Sequence, residues 1–164
     1  MSKREKVQKT NAMRELDRAG ISYEVREFEE TDVSRGVGMR IAEQLGEDPD
    51  SSLKTLVCVA PSGDHVVCCI PVACEVDLKK AAAAAGEKSL SLMPIKDLEA
   101  VTGYVRGGCT PIGMKKQFPT FIHKSAADFD TIIISGGRLG VQLILSPQDL
   151  IKVTRGQFAD IIMH

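Results

Sequence analysis

Apolar and polar positions alternate along this chain in short blocks, each closed by a glycine, a proline or a cluster of acidic and serine residues. Residues 7–17, with Val7, Met13 and Leu16 as apolar positions and Gly20 beyond them, predict a first helix with a glycine stop. Residues 21–28 change to a two-residue period, with Ile21, Tyr23 and Val25 on one side and Ser22, Glu24 and Arg26 on the other. Residues 39–45 read as a short helix closed by Gly46, and residues 47–52 as a turn. Residues 53–60 and 65–72 read as strands joined by the hairpin turn Pro61-Ser62-Gly63-Asp64, with His65 exposed beside it. Asp77 caps a helix over residues 78–85 that Gly86 ends. A short strand over residues 90–93 precedes a helix over 95–101, opened by Pro94 and stopped by Gly103. Further strands fall at residues 120–123, 131–134 and 141–145, and Ser146-Pro147 starts a last helix. Asp149, in its first turn, then has a structural explanation.

Seven or eight strands with four or five helices, and no strict β–α alternation, predict an α+β domain. Short glycine-broken strands suit a mixed sheet curved toward a barrel. No repeat, linker or second core divides the chain, so residues 1–164 read as one domain.

One stretch interrupts the pattern. Gly103-Tyr104-Val105-Arg106-Gly107-Gly108-Cys109-Thr110-Pro111-Ile112-Gly113 holds four glycines and a proline in eleven residues, too many for a helix or strand interior. It is either a shaped loop whose bare backbone admits a ligand, or a surface crossover between two parts of the sheet. A second glycine segment, Ser135-Gly136-Gly137-Arg138-Leu139-Gly140, follows the strand at 131–134.

Composition excludes more than it proposes. No apolar run reaches a membrane span, and the basic N-terminus leads into polar residues, not the apolar core of a signal peptide, so a cytoplasmic protein is expected. Five cysteines show no CxxC pair, and Cys68 and Cys69, adjacent on a strand, point to opposite faces; the thiols read as free and mostly buried. With His65, His123 and His164 the only histidines, no zinc spacing appears, and neither a metal nor a cofactor is expected. The net charge of −1 hides an asymmetry: residues 101–164 hold seven Lys/Arg against four Asp/Glu, a basic excess in the half carrying the glycine loops.

Candidate chemistry is sparse. Lys54 shares its strand face with Leu56, Cys58 and Ala60, where an ammonium is costly unless it reaches a rim or a partner. It either lays its stem over the core edge or stands at a pocket mouth, donating to a ligand oxygen. Cys109 would need a base, for which His123 is the only nearby histidine in sequence. The glycine segments match neither a Walker loop nor GxGxxG, and no paired-carboxylate site suggests itself. A lysine with glycine loops and no evident nucleophile suits stabilisation of an already reactive bond, such as an aminoacyl ester.

Leu53-Lys54-Thr55-Leu56, Asp77-Leu78-Lys79-Lys80-Ala81-Ala82, the stretch from Thr102-Gly103 to Ile112-Gly113, and Ser135-Gly136-Gly137-Arg138-Leu139-Gly140 together resemble the YbaK family of aminoacyl-tRNA deacylases, related to the editing domain of bacterial prolyl-tRNA synthetases. The resemblance spans nearly the whole chain. It implies the YbaK-type α+β fold and hydrolysis of cysteine misattached to tRNA(Pro), and also of Cys-tRNA(Cys), with prolyl-tRNA synthetase as a second partner. It places the family lysine at Lys54, with Gly107 as the second catalytic position, and the substrate's own thiol attacks its carbonyl to release a cyclic thioester. Phe28, Gly108, Thr110, Pro111, Gly113, Gly136, Gly137 and Gln142 are the implied substrate-binding positions, and Arg106, Lys115, Lys116, Lys124 and Arg138 the candidate tRNA contacts. Two departures bear on selectivity: Phe28 stands where members can carry a tyrosine, and Gln142 where they can carry an aspartate. The alternatives are a deacylase for alanyl- or seryl-tRNA, and a module that binds aminoacyl-tRNA or a synthetase without turnover.

Overall fold

The structure, a computed structural model, describes residues 8–29 and 37–164. The basic cluster Lys3, Arg4 and Lys6 and the expected helix start at Val7 lie outside them. Helix α1 (Asn11–Ala19) begins where Thr10 Oγ1 accepts the Met13 N–H, and it stops at left-handed Gly20. Strand β1 (Glu24–Glu27) departs from its expected alternation, because Val25 is exposed while Arg26 is half-buried against Glu47. An ion-pair partner overrides hydrophobic periodicity here.

Helix α2 (Val37–Leu45) is followed by β2 (Leu53–Val59) and β3 (His65–Pro71), an antiparallel hairpin. The His65 ring is half-buried, not exposed, packing edge-on against Phe118 at 5.2 Å. Asp77 accepts the Lys79 and Lys80 N–H groups to start α3 (Leu78–Ala85), and Gly86 ends it. Then come β4 (Ser91–Leu92), a 3₁₀ turn at Ile95–Asp97, and α4 (Leu98–Thr102). Beyond the central loop lie β5 (Thr120–His123), β6 (Ile132–Ser135), β7 (Val141–Leu145), α5 (Pro147–Thr154) under its Ser146 cap, and β8 (Gln157–Ala159).

The α+β class is as expected, but the strands form two sheets: β1-β7-β6, and β4-β2-β3-β5-β8. Within the five-stranded sheet, β3–β5 and β5–β8 run parallel. The sheets are joined by a parallel bridge between Ser52 and Ile133, where the Ile133 N–H donates to Ser51 O at 2.9 Å. Sheet alternation feeds two cores. Val67, Cys69 and Ile122 face the larger one with Leu16, Ile134, Leu143 and Leu150, while Val66, Cys68, Ile70 and Phe121 face the other with Ala81 and Ala82 of α3. A strand buried on both faces has no polar side, which is why residues 66–70 are uniformly apolar.

Candidate active site

The seam between the two sheets opens into a cleft of about 710 Å³. Lys54 reaches its wall from β2, Phe28 from the end of β1, Glu47 from beyond α2, Arg106 and Gly107 from the central loop, and Ser135 and Gln142 from β6 and β7. The rest of the wall is mostly apolar, with Met39, Ile41, Leu56, Met93 and Ile134 among its residues, and Ser52, Thr55 and Glu75 add polar groups. Lys54 is half-buried, and among the described residues nothing accepts a hydrogen bond from its ammonium. It lies close enough to Cys74 to oppose the upward push that burial gives that thiol.

The central loop is shaped by its own hydrogen bonds. Thr102 Oγ1 accepts the Tyr104 N–H at 3.0 Å, and the buried Tyr104 hydroxyl donates to Ile112 O at 2.7 Å. Between them, the Gly108 N–H donates to Val105 O at 3.0 Å, closing a tight turn with Gly107 at φ 87°. That angle is the one a type II turn requires at its third residue and that glycine alone adopts without strain. The turn uses the Gly108 amide and presents Gly107 to the cleft, where among the described residues nothing accepts the Gly107 N–H. Gly107 O accepts from Ser135 Oγ at 3.4 Å, tying the central loop to the three-stranded sheet.

The structure therefore brings Lys54, Gly107, Phe28, Gln142 and Arg106 to one cleft. Gly108, Thr110, Pro111, Gly113, Gly136 and Gly137 are not in its wall. Several of these glycines let one backbone pass close to another. A Cβ on Gly108 would meet Arg138 Cα at 2.6 Å, and one on Gly113 would meet Asn11 C at 2.9 Å. Thr110 is fully buried with its hydroxyl unpartnered. Arg138 Nη1 donates to Gln8 O at 2.7 Å, and Lys115 Nζ to Ala100 O at 3.3 Å. Lys116 is exposed, and Lys124 sits with His123 and Asp160 near the chain's C-terminal end.

Cys109 also lines the cleft, but burial pushes its thiol up to about 12, only partly opposed by Thr102. His123 is not its base. Cys109 lies beside Cys69, in the larger core's face of the five-stranded sheet, whereas His123 alternates with Ile122 and shares the face of Phe121. The buried His123 ring accepts the Ile161 N–H on Nδ1 at 3.3 Å, and burial holds its pKa below the usual imidazole value. Sequence reasoning missed Glu47, read only as part of a turn, and the Arg26 that pairs with it. The only local signal for Glu47 is its place directly after the glycine that ends α2.

Comparison with known proteins adds to this geometry. The sequence model of a family described as the aminoacyl-tRNA editing domain matches residues 39–153. A protein of Enterococcus faecalis, provisionally named Cys-tRNA(Pro)/Cys-tRNA(Cys) deacylase EbsC, is 44% identical over 161 residues, covering 98% of each chain. A solved structure provisionally described as a trans-editing enzyme for prolyl tRNA synthetase superposes with a TM-score of 0.81 at 22% identity, over 96% of this chain and 100% of the other. The hypothetical protein APE2540 gives 0.84 at 19% identity, over 94% and 100%. At those identities the two structures speak to the fold alone.

Proposed function

The chain belongs to the aminoacyl-tRNA editing domain family, and on that premise we propose that it deacylates cysteinyl-tRNA, Cys-tRNA(Pro) first and Cys-tRNA(Cys) second. The observation that carries the reading is the meeting of the Lys54 ammonium and the Gly107 turn in one largely apolar cleft. Lys54 donates to the ester carbonyl oxygen, and the Gly107 N–H supplies a second donor as charge develops there. Such groups act most strongly where apolar walls keep water out.

Among the described residues, no side chain of the cleft is a ready nucleophile, since the Cys109 thiol is held protonated. The substrate's own thiol attacks its carbonyl carbon. A C–S bond forms as the bond to the tRNA 3′-oxygen breaks, the thiol proton passes to that oxygen, and the cyclic thioester opens in water. The chemistry is then a lyase-type release followed by hydrolysis. Editing is needed because a pocket that differs by about one methylene discriminates by only about 1–3 kcal/mol. Arg106, already at the cleft, is the first candidate for a tRNA phosphate, with Lys115, Lys116, Lys124 and Arg138 as outer contacts. Such a role places the protein in the cytoplasm with charged tRNA, acting beside prolyl-tRNA synthetase.

Phe28 and Gln142 in the cleft wall favour one second reading, in which the acyl group is alanine or serine. Purified protein incubated with Cys-, Ala- and Ser-tRNA(Pro) separates the two. Release of cysteine fastest supports the proposal, and release only of alanine or serine supports the second reading. A gel shift of tRNA with no amino acid released makes the protein a binding module.

A further inference from the structure

A line of polar side chains runs along the cleft wall, with Ser135, Gln142 and Glu47 in the wall and Arg26 just outside it. The register of the three-stranded sheet sets Arg26 opposite Gln142 and Gln142 opposite Ser135, so the three share one face. Glu47 reaches this line from the end of α2. Gly46 turns the chain at φ 68°, and the Glu47 N–H reaches back to Ala42 O at 2.8 Å, a helix stop that fixes where the next side chain leaves. The Glu47 side chain is only 2% exposed; its Oε2 accepts from the Arg26 guanidinium and its Oε1 from Gln142 Nε2 at 3.2 Å.

A carboxylate accepts hydrogen bonds and donates none, so Glu47 decides which way the Gln142 carboxamide points. The nitrogen must face Glu47, which leaves the oxygen on the other side. That oxygen, Oε1, is buried without a partner, in a residue that is 8% exposed and lines the cleft. A buried acceptor left unpaired is a standing cost that a ligand donor would remove. The Arg26 head on the far side of Glu47 is 39% exposed and screened by water, whereas the carboxylate is not. That carboxylate, with Glu75 also in the wall, offsets the Lys54 and Arg106 cations of the same cleft, so a cationic donor can reach the Gln142 oxygen.

We propose that Glu47 is a positioning residue that holds Gln142 with its carbonyl oxygen toward the cleft, where that oxygen receives the α-ammonium of the aminoacyl ester. The inference rests on the deacylase reading above and deepens it. The thiol is reserved for attack, and the ammonium is the one cation every aminoacyl ester carries beside its carbonyl. Held at Gln142, it orients the ester carbonyl toward Lys54 and Gly107.

The test compares Cys-tRNA(Pro) with N-acetyl-Cys-tRNA(Pro), which lacks the ammonium, in the unmodified protein, Gln142→Met and Glu47→Gln. The unmodified protein should favour the free ester by about tenfold or more in kcat/KM, because a site built for a donor rejects the analogue without it. Gln142→Met should bring the two esters toward parity, chiefly by raising KM for the free ester. Glu47→Gln, whose amide lets Gln142 turn over, should move the ratio the same way while keeping the melting temperature. Equal use of both esters by the unmodified protein, or an unchanged ratio in folded Gln142→Met or Glu47→Gln, overturns the inference and leaves the deacylase reading standing. Release of cysteine from neither ester by the unmodified protein overturns both.

Discussion

The five-stranded and three-stranded sheets share the larger core and, among the described residues, are bridged at Ser52 and Ile133, yet they use their faces differently. In the first, β3 is buried on both sides and carries thiols that burial keeps protonated, such as Cys69, whose pKa is pushed up to about 12. In the second, one face bears the line of Arg26, Gln142 and Ser135, tied to Glu47 and to the Gly107 turn. The same backbone pairing thus serves as scaffold on one side and as a polar wall on the other. Lys54 comes from the scaffold, one residue into the strand that follows the Ser52 bridge, and faces that wall's cleft. The contrast teaches that stability and chemistry are separable in this fold, and substitutions can divide them.

The largest separation is expected at Lys54. Lys54→Ala should lower deacylation by about 10²–10³-fold, the usual cost of one donor to a developing oxyanion, while denaturant unfolding hardly moves. A large fall in stability would instead return Lys54 to the core edge. Ile122→Ala, in a fully buried scaffold position on β5 outside the cleft wall, should do the converse: about 2–5 kcal/mol of stability lost in urea, with activity per folded molecule retained. Gly108→Ala should affect both, because the new Cβ would press on the Arg138 backbone beside the Gly107 turn. About 1–3 kcal/mol of overpacking cost is expected, with a loss of activity in the molecules that remain folded.

Smaller effects sharpen the contrast. His123 is held neutral by burial, so its pKa is lower in the folded than in the unfolded chain. The unfolded chain then takes up the proton first, and its contribution to stability is intact above about pH 6.5 and falls as pH drops below it toward the folded value. Urea titrations at several pH values should show this slope, and His123→Gln should flatten it. Cys109→Ala should keep activity within about twofold; a loss approaching that of Lys54→Ala would make the thiol a nucleophile after all.

Much of the scaffold was legible because its signals are local. Asp77 and Ser146 cap helices as side-chain chemistry requires, and Gly20 and Gly86 end them in the left-handed conformation. β8 carried no such signal: Phe121 pairs with Gln157 across a long stretch of chain, and parallel pairing leaves no turn to read. The cleft was half legible. Lys54 stood out as a charge on an apolar face and the central loop by its excess of glycine, whereas Gly107 within that loop was singled out only by the family resemblance. Glu47 could not be picked out, because its role depends on Arg26 and Gln142 meeting it from distant segments. Gln142 alone reads as a charge absent, whereas the structure shows a carboxylate 3.2 Å from its nitrogen.

Cys68 and Cys69 are one peptide apart but dissolve in different cores, one beneath α3 and one beside Ile122. The chain therefore carries a matched pair of clocks. The rate at which an alkylating reagent captures each sulfur in the native protein reports how often its own compartment breathes. Matching rates would mean that the sheet and both its coverings open as one unit; an earlier capture of Cys68 would mean that the alanine-rich helix lifts away by itself.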